Sequence, residues 1–188
     1  MSQQELLKRV VCALNDLGIE YMLTGSLVSS LQGEPRSTHD IDMIITIRPS
    51  MAQDLVRSFP PPEYYVSQES ILGALETQSA FNLIEVNTGD KVDFWILTKA
   101  PFDVSRFARK YIEEVLGMRI AVSRPEDTIL AKLSWAKKSG GSEKHFTDAL
   151  RVYEVQYEKL DISYVQGWAD RLGVASMLQK IREEAEPL

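Results

Sequence analysis

The amino-acid sequence predicts an α/β fold followed by a helical subdomain. Over residues 1–123, short apolar strand patterns alternate with helix patterns, whereas only helical patterns remain over 124–188. The 188 residues, 44% hydrophobic and 26% charged, are enough for one ordinary core with an appended subdomain. The boundary is expected at 123/124, with no flexible linker implied.

The elements follow in order. Residues 3–17 form a helix, with Leu6, Leu7, Val10, Val11 and Leu14 as its apolar stripe and Gly18 as its stop. Ile19 to Leu23 reads as a strand, and 25–32 as a short helix ended by Gly33 and Pro35. Asp40 to Ile47 is the second strand, and Pro49 opens a helix over 49–58. Pro60-Pro61-Pro62 forbids helix and marks a loop. A short edge strand is expected at 64–66 and a helix at 68–76. Phe81 to Val86 and Lys91 to Leu97 are partner strands around the turn Asn87-Thr88-Gly89-Asp90. A helix over 101–110 precedes a small hairpin at 111–122, turning at Gly117-Met118. Helices at 124–138, 143–157, 161–171 and 174–186 complete the chain, the first two separated by Gly140-Gly141-Ser142.

Composition narrows the function. Net charge is −6, whereas a protein that grips duplex nucleic acid by bulk electrostatics is usually basic. The one mildly basic segment, 124–151, carries six basic and four acidic side chains and is the part suited to meet phosphate. No apolar run is long enough to span a bilayer, and the start MSQQELLKRV has no signal-peptide pattern. The single cysteine, Cys12, has no partner for an internal disulfide and is expected to be buried beside Leu6 and Leu14. A cytoplasmic protein is the expectation.

The chemistry concentrates in LTGSLVSSLQGEPRSTHDIDMIITI, residues 23–47. On a strand, side chains alternate between faces, so Asp40 and Asp42 point the same way with Ile41 opposite. Two carboxylates together repel and resist burial, and a divalent cation with hard oxygen ligands is the usual compensation. Upstream, Gly25 permits a tight turn between strand and helix, and the first amides of a helix favour an anion such as phosphate. Ser26 adds a hydroxyl there. Each piece has a plainer reading: Gly-Ser also serves as a turn and helix cap, and D-x-D as an edge feature. Joined in this order, with Arg36 and Thr38 between them, they point to a nucleoside-triphosphate site. A third acid, Asp93, sits among apolar neighbours in Lys91-Val92-Asp93-Phe94-Trp95-Ile96. It joins the other two if its strand pairs beside theirs, and otherwise faces solvent.

These residues resemble the nucleotidyltransferase superfamily, of polymerase-beta-like fold. The form R-x-T-x-D-I-D is most similar to the AbiE toxin-type nucleotidyltransferases and their prokaryotic relatives, over roughly the first two thirds of the chain. The resemblance implies a minimal nucleotidyltransferase fold: a mixed twisted sheet flanked by helices as catalytic core in 1–123, and a helical subdomain in 124–188. It implies transfer of a nucleotidyl group from an NTP to an acceptor hydroxyl, with two Mg2+ ions on Asp40, Asp42 and Asp93. Gly25, Ser26, Arg36 and Thr38 would bind the nucleotide, and Asp93 would help deprotonate the attacking hydroxyl. The stretches DTILAKLSWAKK and EKHFTDAL look like the second half of the AbiE-type pattern. By that match Lys132 contacts phosphate and Asp148 organises the pocket. The implied acceptors are RNA such as tRNA, a protein side chain or a small molecule such as an aminoglycoside, and an antitoxin is a possible partner. The alternative is a nucleotide-binding or regulatory protein that keeps the fold without the catalysis.

The residues themselves leave room for other roles. Lys132, between Ala131 and Leu133, needs an anionic partner or must reach water along its stem. Asp148 is equally suited to pair structurally with Lys132 or Arg151. Lys137, Lys138 and Lys144 read as a solvated face, and Trp95, Trp135 and Trp168 as packing residues. His145 is expected to be exposed, and His39 is assigned no catalytic role.

Overall fold

A computed structural model describes residues 2–38 and 40–186 of the chain. They fall into two compact units. The first takes in the chain up to Thr24 together with Thr38–Val122, and the second Gly25–Ser37 together with the chain from Ser123. The second unit includes the short helix after the first strand as well as the later helices.

The first unit is built on a seven-stranded mixed sheet. Its strands are β1 (Glu20–Thr24), β2 (Asp40–Thr46), β3 (Tyr64–Tyr65), β4 (Ala80–Glu85), β5 (Lys91–Ile96), β6 (Tyr111–Val115) and β7 (Met118–Val122), in the order β3-β4-β5-β2-β1-β7-β6. β2 pairs antiparallel with β1 and parallel with β5. Alternation decides the two faces. Leu23, Ile41, Met43, Ile45, Val92, Phe94, Phe81 and Leu83 are buried on one face. α1 (Gln3–Asp16), with its apolar stripe buried, lies against β1 and α3 (Ala52–Ser58), and α4 (Gln68–Thr77) against β4 and α3. The α1 stripe is the predicted one, and Ser2 caps the helix with Glu5 reaching back in a capping box. Cys12 lies off that stripe and is exposed rather than buried, because Val11 and Leu14 take the inward positions. On the other face Met22, Ile44, Trp95 and Leu97 pack with Phe107 of α5 (Pro101–Ala108).

The β4–β5 turn is fixed by an internal carboxylate. Glu85, only 1% exposed, accepts hydrogen bonds from the Asn87 and Thr88 backbone amides and from both side chains. These bonds, first that of the Thr88 hydroxyl, hold its carboxyl at about 2, below the usual 4.5. A depressed folded value contributes stability above the unfolded one and loses it as pH falls. The stability gap between wild type and Glu85→Gln in urea melts is therefore expected to shrink between pH 4.5 and about 2. A constant gap would show that the charge is not what organises the turn.

The second unit is helical: α2 (Gly25–Gln32), α6 (Pro125–Lys138), α7 (Glu143–Gln156), α8 (Ile162–Leu172) and α9 (Ala175–Glu184). α2 packs on α6 and α7, α8 on α6, and α9 on α7 and α8. Gly33, just past α2, lies against the α7 backbone: an added Cβ would meet Val152 N at 2.8 Å and Arg151 C at 2.9 Å. Backbone cannot step aside as a side chain can. Gly33→Ala is therefore expected to cost about 1–3 kcal/mol of stability in denaturant melts, the usual penalty of overpacking. Stability equal to wild type would mean that α2 shifts freely. Lys137, predicted as a solvated charge, donates to the carbonyls of Leu172 and Gly173 at 3.3 and 3.0 Å and closes the end of α8. Trp135, expected in a core, is 43% exposed, with the Lys138 ammonium 5.4 Å from its ring centre. Among the described residues, no helix is long and apolar enough to cross a membrane.

Candidate active site

The predicted residues form two separate groups, one within each unit. The first follows from strand pairing. β5 is delivered beside β2 in parallel register, so Asp42 stands opposite Asp93 and Asp40 opposite Lys91. Asp40, Asp42, Lys91, Asp93 and Trp95 therefore share one face. Asp93 is more sheltered than Asp40, its side chain 17% exposed against 53%. It is not the solvent-facing strand-end residue of the plainer reading. Asn82, its register partner on β4, donates to Asp93 Oδ1. Lys91 Nζ donates to Asp93 Oδ2 at 3.0 Å and lies 3.5 Å from Asp40 Oδ1. Trp95 Nε1 donates to Asp42 Oδ1 at 3.4 Å. The Asp93 hydrogen bond, more than the nearby charges, raises the Lys91 ammonium above its ordinary value.

The three acids fit a divalent cation in donor type, since all offer hard oxygens and two stand directly opposed across adjacent strands. Among the described residues no three of His, Cys, Asp and Glu are already arranged as a metal cage. The Lys91 ammonium stands between Asp40 and Asp93.

The second group is the buried polar centre of the helical unit. Gly25 opens α2 at φ +73°, a conformation that favours glycine. Ser26 Oγ, one residue on, accepts from Arg36 Nη2 at 2.9 Å and from Lys132 Nζ at 3.2 Å. Arg36 grips Asp148 with two hydrogen bonds of 2.8 Å, and Lys132 donates to the same carboxylate at 2.7 Å. Lys132 and Asp148 are only 4% and 7% exposed, so Lys132 has not snorkelled to water. Two cations thus share one carboxylate beside a hydroxyl, a composition suited to an anion. Burial pushes the Asp148 carboxyl up, but hydrogen bonds from Arg36 and then Lys132 outweigh it and hold it below the ordinary value. Arg151, the other partner considered for Asp148, instead pairs with Glu34 and Glu154. Thr38 lies half-buried ahead of β2 in the first unit.

The sequence reading missed several neighbours. Lys91, Asn82 and Trp95 are legible only through parity and register: Lys91 and Trp95 stand two residues either side of Asp93. His145, expected to be exposed, is half-buried, with Nδ1 enclosed and without a hydrogen-bond partner among the described residues. Burial, and then the Lys132 charge, push its imidazole below the ordinary value. No signal in the sequence marked it. His39 lies outside the described residues. At the other end of β2, a depression of about 460 Å3 lined by Ile45, Ile96, Leu97, Met51 and Arg48 contains none of the predicted residues.

Solved structures share this architecture. The chain is similar to an antigenic nucleotidyltransferase-like protein from Paracoccidioides brasiliensis, with 18% identity and a TM-score of 0.52 over 100% of this chain and 96% of that one. It is also similar to the antibiotic-resistance factor ANT(2'')-Ia, at 13% identity and a TM-score of 0.54 over 97% and 98%. The fold is nucleotidyltransferase-like. A second structure of ANT(2'')-Ia, in complex with adenylyl-2''-tobramycin, matches at 13% identity and a TM-score of 0.53, over 92% of this chain and 98% of that one. At such identities the likeness is one of fold. No protein-family model matches the chain, and no curated protein sequence does.

Proposed function

We propose that the chain is a magnesium-dependent nucleotidyltransferase that moves an NMP group from an NTP to an acceptor hydroxyl. The observation that carries the reading is the register that sets Asp93 directly opposite Asp42, one strand from Asp40. The nucleotidyltransferase-like fold supports it. Asp40, Asp42 and Asp93 are the metal ligands of this reading, for two Mg2+ ions. Ser26, Arg36 and Lys132, with the first amides of α2 beyond Gly25, take the phosphates, and Asp148 holds both cations in place. Thr38 remains a nucleotide-binding candidate on the resemblance alone.

Asp40, Asp42 and Asp93 would hold the magnesium, which would supply positive charge to offset that of the phosphates. Asp93, oriented by Asn82, accepts the proton of the acceptor hydroxyl as its oxygen bonds to the α-phosphorus. The bond between the α- and β-phosphates breaks, and Lys132 and Arg36 offset the charge gathering on pyrophosphate. No covalent enzyme intermediate is required. A small-molecule acceptor draws support from the likeness to a protein solved with adenylyl-2''-tobramycin, and RNA or a protein side chain from the resemblance of the motif. The toxin role and an antitoxin partner rest on the R-x-T-x-D-I-D form.

One observation favours the alternative, a nucleotide-binding protein without catalysis: the acidic group holds a lysine of its own chain. Incubation with each α-labelled NTP, Mg2+ and cell extract separates the two readings. Label transferred to an RNA, protein or small molecule supports the enzyme. NTP binding by calorimetry without transfer to any acceptor supports the alternative.

A further inference from the structure

We infer that Lys91 is a built-in counter-cation of the acidic group, which a divalent ion must displace, so that this lysine sets the metal threshold of the site. The inference rests on the metal-site reading above. It starts from the two-by-two array that the parallel register makes: Asp40 and Asp42 on β2, Lys91 and Asp93 on β5. Its ammonium stands 3.0 Å from Asp93 Oδ2 and 3.5 Å from Asp40 Oδ1. A divalent ion shared by Asp93 and Asp40 needs those same oxygens, and two cations cannot occupy such a space together at low cost. The remaining contacts do not conflict. Asn82 holds the other oxygen of Asp93, Oδ1, and Trp95 holds Asp42 Oδ1, so both carboxylates stay oriented while Lys91 leaves. The exit is open: the Lys91 side chain is 40% exposed and has a flexible four-carbon stem. Lys91 thus satisfies the acids in the metal-free protein, and metal binding must break its ion pairs.

The test uses Tb3+, a hard oxygen-seeking ion whose emission an adjacent indole sensitises. Trp95, hydrogen-bonded to Asp42, is the built-in antenna. Trp-sensitised Tb3+ emission is followed in the full-length wild type, Lys91→Gln and Lys91→Met, each displaced with Mg2+, and Trp95→Phe identifies the signal of this site. Lys91 makes two partly exposed ion pairs, and breaking both costs about a factor of ten in an equilibrium. Both Lys91 variants are therefore expected to bind Tb3+ about ten-fold more tightly, and to require about ten-fold less Mg2+ for half-displacement. Each variant is also expected to melt lower than wild type without metal and to gain more on adding Mg2+. If wild type binds and the variants bind equally or more weakly, the role of Lys91 is overturned while the metal site stands. If no variant gives Trp95-dependent emission, and Mg2+ shifts no melting temperature, both are overturned.

Discussion

Asp42→Asn will abolish nucleotidyl transfer, with a loss of about a thousand-fold or more, and leave the fold intact. Asparagine keeps the shape of the side chain and an oxygen acceptor for Trp95 Nε1. It removes the charge at the one position in register with both Thr24 on β1 and Asp93 on β5. Electrostatic groups placed against developing charge are commonly worth a hundred- to thousand-fold each, on the order of 3–4 kcal/mol. A metal ligand is expected at or beyond the upper end of that range. The measurement is single-turnover transfer of the label identified in the acceptor screen, with circular dichroism and melting as folding controls. Transfer within ten-fold of wild type would remove Asp42 from the metal site. The companion variant Asn82→Ala should lose less, because Asn82 orients Asp93 and bears no charge of its own.

Asp148→Ala is the variant expected to harm stability most, by about 3–5 kcal/mol, the usual cost of breaking a buried ion pair by removing one partner. The change strips Lys132 and Arg36 of the carboxylate that they share. Since domains are stable by only about 5–15 kcal/mol, a large part of the total is at stake. The depressed carboxyl value of Asp148 fixes the pH sign: its contribution is present above the ordinary value of 3.8 and is lost as pH falls below it. Two further results separate this network from ordinary packing. Pyrophosphate should restore part of the lost melting temperature, because an anion that binds the folded state stabilises it. The double variant Lys132→Met/Asp148→Ala should be less destabilised than the sum of its parts. A cost below about 1 kcal/mol would place Asp148 with surface ion pairs.

Local signals made most of the elements legible. The α1 stripe, the turn at 87–90 and the break at 140–142 each act over a few residues, and strands and helices lie within a residue or two of their expected places. Asp42 and Asp93 were legible for the same reason, since alternation alone fixes which face of a strand carries an acid. What sequence could not supply was register between segments far apart in the chain. Asp40 and Lys91 are opposed only because β5 pairs with β2 and not with another strand. The assignment of α2 to the helical unit likewise depends on packing against α6 and α7, and periodicity does not name a partner. Cys12, Trp135 and His145 were misjudged where one element's pattern was asked to decide exposure, which the neighbouring elements set.

The placement of residues 25–37 has a bearing on inheritance. The polypeptide enters the helical unit at Gly25, leaves it after Ser37 and re-enters at Ser123. A recombination joint at 123 would therefore strand α2 with the wrong parent, depriving α6 and α7 of the helix that covers them and Lys132 of its serine. Such a chain cannot trade its helical half for a homologue's as a bead is changed on a string. New specificities on this scaffold have to arise by substitution within loops and helix faces, or by exchange of both segments at once.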